Sequence, residues 1–243
     1  MRWPSPRVDQ PPVTLDRDRL LRTLEGLQAH DLEAMVEALK AKHALFSSAL
    51  QPGALEGMEE GTWKVVLDSM FPARRRLAPR FAELPEGALF GAISGLLYGS
   101  SPLEARMEAF RDLLPEAGRK ERGALWDMAS DLLHFTAPER HPLMARWVWD
   151  ARTRSGALLR FMEGDALEGT PEVFEKVRRW MAGQLREEGF YRDTLWVVDL
   201  ILAQAYADYA QGVTSKLGMS LTQESPTAFM EALLGIDRRR SMH

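Results

Sequence analysis

Three times beyond the proline-rich first residues a serine or threonine is followed at once by proline, at Ser101-Pro102, Thr170-Pro171 and Ser225-Pro226. Such a pair predicts the first turn of a helix. The hydroxyl can accept an orphan backbone N–H, and proline, with no N–H of its own and a locked φ, suits the first helical position. Glu104 stands three residues past Ser101, the spacing of a capping box, and Glu172 follows Pro171. Between these starts the apolar residues recur at helical spacing: Leu20, Leu21, Leu24 and Leu27, then Leu32, Met35, Val36 and Leu39, with Asp31 placed to cap the second run. Gly235 is placed to end the last helix.

No stretch alternates long enough to read as a strand, and no repeat recurs at a fixed period. The chain is predicted to be all-α, a globular bundle of about ten to twelve helices. Residues 1–13 hold four prolines and read as a flexible arm. Residues 14–243 read as a single helical domain, with 14–70 and 71–243 as sub-lobes. Gly87, Gly91 and Gly95 share one face of a helix over 85–97 and suggest close packing there.

Composition excludes several classes of function. The chain has no cysteine, so disulfides and thiolate metal or redox sites are unavailable. Histidines lack i+4 metal-ligand partners, and no metal or cofactor is expected. The most apolar stretch, 195–207, is too short to cross a bilayer and carries Asp199, so no membrane span is expected. The first residues lack the apolar run of a secretory signal, which gives an expectation of a cytoplasmic address. Phosphate loops, dinucleotide fingerprints and nucleophile elbows are absent.

Net charge is -4, yet residues 72–160 hold 14 basic against 11 acidic side chains. Within them, 131–154 reads DLLHFTAPERHPLMARWVWDARTR, with two histidines, two prolines, two tryptophans and four arginines. A helix is expected to end near Phe135, a proline-stiffened loop to follow, and a new helix to run from Leu143 to Asp150. Arg146 and Asp150 would then share a face. Guanidinium forks beside indoles suit recognition of a protein partner. Glu139, Arg140, His141, Arg146, Trp147, Asp150, Arg152 and Arg154 are the candidate partner-binding residues. The competing reading puts Trp147 and Trp149 in the core. Asp199, within an apolar run, must pair, meet a gap or bind a ligand, since a bare buried carboxylate is costly. An arginine from 140–154 is its expected partner, and with His134 it forms a candidate buried polar site.

From Tyr98 to Asp150 the order of features resembles the helix-hairpin-helix fold of DNA-glycosylase-like proteins. Leu114-Pro115-Glu116-Ala117-Gly118-Arg119-Lys120 resembles the glycine-containing hairpin, and Leu133-His134-Phe135 through Pro142 resembles the loop beyond it. The resemblance implies duplex DNA held by hairpin amides on a phosphate, with Gly118, Arg119 and Lys120 in contact. Glu116 replaces the first hairpin glycine, and Met144-Ala145-Arg146 fills the place of the catalytic aspartate, so glycosylase chemistry is not carried over. The expectation that follows is a non-enzymatic interaction protein, with nucleic-acid binding as the alternative and a ligand pocket or enzyme around Asp199 as the weaker one.

Overall fold

A helix that is apolar on all sides must lie at the centre of its domain, and the first half of Thr194–Lys216 does. From Trp196 to Ala205 every residue is buried, Asp199 and Gln204 included. The computed structural model describes residues 13–28, 30–114, 116–164, 167–216 and 225–237. The proline-rich arm, the Gly218 helix end and the basic tail Arg238-Arg239-Arg240 lie outside these, apart from Val13. Among the described residues there are eleven α-helices and two isolated β-bridges, without a named strand.

The helices are α1 (Arg17–Gln28), α2 (Leu32–Ala49), α3 (Pro52–Leu55), α4 (Glu60–Asp68), α5 (Phe71–Phe81) and α6 (Ala88–Tyr98). They continue as α7 (Leu103–Arg111), α8 (Arg119–Thr136), α9 (Pro171–Glu187), α10 (Thr194–Lys216) and α11 (Pro226–Leu234), with a 3₁₀ turn at Ala157–Arg160. Two helices organise the rest. α10 takes α1, α9, α11 and the 3₁₀ turn, and α8 takes α2, α5, α6 and α7. Phe135 of α8 stacks on Trp196 of α10 with centroids 6.3 Å apart, and His43 of α2 meets the same indole at 5.8 Å.

Several caps form as the sequence indicates. Asp31, Thr170 and Ser225 accept the N–H groups of Ala34, Val173 and Ala228, and Gly235 closes α11 at φ 67. Glycine is required at that position, since an added Cβ would overlap the Ser69 carbonyl. The Ser101-Pro102 start differs: α7 begins at Leu103, Pro102 holds the cap position, and no side chain caps it. The glycine face of α6 is open, because a Cβ on Gly87, Gly91 or Gly95 would meet nothing within 4 Å. Close packing there is therefore corrected.

The main departure is at 137–156, where no helix forms over 143–150. Pro138 and Pro142 bias the residues before them away from helical geometry, and 141–145 form no regular secondary structure. This stretch is buried: Pro142, Leu143, Met144, Ala145, Val148 and Trp149 are all core. The chain then folds back, with Ala157 N–H donating to the Trp147 carbonyl at 2.8 Å and Leu158 N–H to that of Val148 at 3.1 Å. Gly156, at φ 131, makes the return, since a Cβ there would press on the Val148 carbonyl.

Candidate functional site

A buried non-helical segment must find partners for its backbone polar groups, and one face of α8 supplies them. Ser130 Oγ accepts the Met144 N–H at 2.7 Å, and Trp126 Nε1 donates to the Met144 carbonyl at 2.9 Å. Asp127 accepts the Arg146 N–H at 2.8 Å, and His134 Nδ1 meets the His141 carbonyl at 2.9 Å. From α9, Arg178 donates to the carbonyls of Pro138 and Glu139 and pairs with Glu175. Asp127, Ser130, Asp131 and His134 are spaced by three and four, so they form one polar stripe on a helix otherwise apolar at its core.

His134 and Asp199, expected to share a buried polar site, do so: Nε2 lies 2.9 Å from Oδ2, and both are buried. The arginine expected opposite Asp199 is corrected to His134. Both ring nitrogens face oxygens, one a carbonyl and one a carboxyl, so these contacts are satisfied when a proton sits between ring and carboxyl. The cavity against Asp199 is about 10 Å³, the room of one water. One turn earlier, Lys42 reaches Asp131 at 3.4 Å, the Leu234 carbonyl at 2.8 Å and the Phe135 ring at 3.7 Å from its centroid. Burial pushes the Lys42 ammonium down and the Asp131 carboxyl up, each opposed by the other's charge.

Arg146 turns to Asp127 instead of Asp150, with Nη2 to Oδ2 at 2.6 Å and Nε shared between both oxygens at 3.2 Å. Burial raises the Asp127 carboxyl from its ordinary value despite the guanidinium beside it. The carboxylate is 5% exposed, whereas the guanidinium keeps 36%. Asp150 instead organises the next turn, its Oδ1 accepting the N–H groups of Arg152 and Thr153. Trp147 and Trp149 are 7% and 2% exposed, and the Trp149 indole donates to the Leu167 carbonyl. These two indoles belong to the core.

The remaining candidates separate. Glu139 and Arg140 are exposed at the turn beyond α8. His141 is half-buried with an unpartnered Nδ1, and its pKa is pushed down to about 4 by burial, then by Arg140, Arg106, His134 and Arg178 nearby. Arg154 is exposed with φ 50. At the other end of α8, the Gly118 N–H donates to the Glu121 carboxylate at 2.7 Å, and Lys120 is exposed. That bond, followed by pairing with Arg80, holds the Glu121 carboxyl below its ordinary range.

Arg119 from the hairpin-like segment and Arg146, Asp150 and Arg152 from the arginine-tryptophan segment come together in one groove of about 630 Å³. Arg111 and Arg122 complete its cationic wall, and Trp126, Trp149 and Phe174 its aromatic one. Gly123 lies beneath the Arg146 guanidinium, in space that a Cβ would fill. Five arginines face two carboxylates, Glu108 and Asp150. Arg111 is paired with Glu108, and Arg122 and Arg152 stand 3.9 Å from Asp112 and Asp150. Among the described residues no carboxylate lies within ion-pair distance of Arg119. Sequence reasoning missed Asp127, Ser130, Arg111, Trp126 and Phe174. For Asp127 and Ser130 the signal was polar residues recurring at core-facing spacing in α8. No family model, curated protein or solved structure matches this chain.

Proposed function

We propose that the protein is a non-enzymatic interaction protein, and that the groove at the start of α8 takes an acidic segment of a protein partner. The observation that carries the reading is the convergence of five arginines on one aromatic-walled groove in a chain of net charge -4. Guanidinium groups form forked hydrogen bonds to carboxylates, and the half-buried Trp126 indole offers an apolar face to the aliphatic part of a bound segment. Arg119, Arg122 and Arg152 are the least committed cations and make the first contacts. A chain of net charge -4 is unlike the strongly basic domains that commonly bind nucleic acid.

Fluorescence anisotropy with a labelled octa-glutamate peptide at low salt tests this directly. The wild type is expected to bind, and the Arg119→Glu/Arg122→Glu variant to lose at least tenfold in affinity with its melting temperature unchanged. Both side chains are exposed, so replacement leaves the fold intact. Equal binding by wild type and variant would refute the groove. Tighter binding of an oligo-thymidylate of matched charge, with a steep loss in salt, would replace the peptide by nucleic acid as ligand.

A further inference from the structure

The groove does not end at Arg146. The Arg146–Asp127 bridge is a partition, and on its other side a trough of about 320 Å³ is walled by Trp147, Tyr206, Tyr209 and Phe229. Arg146 and Asp150 belong to both spaces. Tyr206 stacks on Phe229 with centroids 6.3 Å apart and leans on Trp147 at 5.9 Å and Tyr209 at 6.1 Å. Tyr209 in turn borders a third depression of about 520 Å³, where Arg19, Arg22 and Arg160 meet.

Arg19 is engaged by Asp16 and by the Arg160 carbonyl. The guanidinium groups of Arg22 and Arg160 have no carboxylate within ion-pair distance among the described residues, and Asp208, the carboxylate there, accepts from Gln204. Arginines, an aromatic stretch and arginines thus follow one another along continuous surface.

Building on the groove reading above, we infer that the partner segment is bipartite, an extended peptide with two acidic blocks separated by apolar or aromatic residues. The first block occupies the groove at Arg119 and Arg122, the middle crosses the Tyr206–Phe229 trough, and the second block reaches Arg22 and Arg160. A single acidic block satisfies one end only. Joining two blocks on one chain makes the second contact intramolecular, which raises affinity by orders of magnitude when the spacing fits.

The test uses labelled peptides at low ionic strength: one tetra-glutamate block, and two such blocks joined by spacers of graded length containing tryptophan. The two-block peptide is expected to bind the full-length wild type at least tenfold more tightly than the single block at the best spacer. The Arg22→Glu/Arg160→Glu variant is expected to erase that advantage while leaving single-block affinity within twofold. Absence of a two-block advantage in the wild type, or its survival in this variant, would overturn the bipartite track and leave the groove reading standing. Unchanged single-block binding in Arg119→Glu/Arg122→Glu would instead remove the groove itself. Displacement of the two-block peptide by an oligo-thymidylate at lower concentration than by unlabelled peptide would overturn the peptide assignment.

Discussion

Replacing Asp127 by asparagine removes one negative charge from the core without emptying the position. The amide oxygen can still accept the Arg146 N–H, now 2.8 Å from the carboxylate, but the two-oxygen grip on the guanidinium is lost. Breaking a buried ion pair by removing one partner costs about 3–5 kcal/mol. Here the figure is tempered, because the guanidinium is 36% exposed and can turn to water, and asparagine relieves the desolvation that raises the Asp127 carboxyl. About 2–3 kcal/mol is expected, which in a chain of this size lowers the melting temperature by roughly 4–12 °C. Asp127→Ala also strands the backbone N–H and is expected to cost about 1 kcal/mol more. Thermal unfolding followed by circular dichroism, with a double-mutant cycle against Arg146→Met, gives the coupling directly. The same change frees a cation beside the groove, so acidic-peptide affinity should rise about two- to fivefold. A shift under 2 °C together with a coupling near zero would refute the claim that this bridge holds the 141–146 segment.

Ser130→Ala leaves the Met144 N–H buried and unpartnered, and urea unfolding should show a loss of about 1–3 kcal/mol. Gly235→Ala forces both a left-handed φ and overlap with the Ser69 carbonyl. It should destabilise by at least about 2 kcal/mol, read as a lower urea midpoint. His141 has a folded-state pKa of about 4 against an ordinary 6.5, so on acidification the unfolded chain takes its proton first. Stability from this group is present above pH 6.5 and falls as pH drops from 6.5 to 4, by about 1–2 kcal/mol after allowance for solvent screening. His141→Gln, compared with wild type across that range by urea unfolding, should remove this part of the slope.

The parts of the fold written in local pattern were legible. Asp31, Thr170, Ser225 and Gly235 act within one turn of their own helix, and so four neighbouring letters suffice to place them. The burial of α10 likewise follows from its all-round apolar surface. The 137–156 segment was not legible, because its structure depends on contacts made elsewhere in the chain. Arg146 and Asp150 share a face only if a helix runs between them, and the backbone at 144 and 146 is bonded to side chains of α8 instead. The true partner of Arg146 is 19 residues away, and that of Asp199 is 65. The groove was half legible: Arg119 and Arg152 could be marked as cations, but only the packing of α7, α8 and the returning chain brings them together. Arg111, Trp126 and Phe174 sit in unremarkable helical patterns, and nothing in their neighbours separates them from ordinary surface and core.

The way α8 holds the 141–146 segment also sets where the chain can tolerate change. Trp126, Ser130, Asp127 and His134 bind peptide groups at 141, 144 and 146, and only Asp127 also grips a side chain there, that of Arg146. Each of those four positions needs one kind of atom at one distance, which few of the twenty amino acids can supply. The positions they hold offer an N–H or a carbonyl that nearly every residue possesses. A saturation library over 126–146 should therefore be uneven, narrow at the four helical positions and broad at the half-exposed residue 141. At 141 the limit is the local shape imposed by Pro142, while at 144 it is the volume of the cavity that Met144 fills.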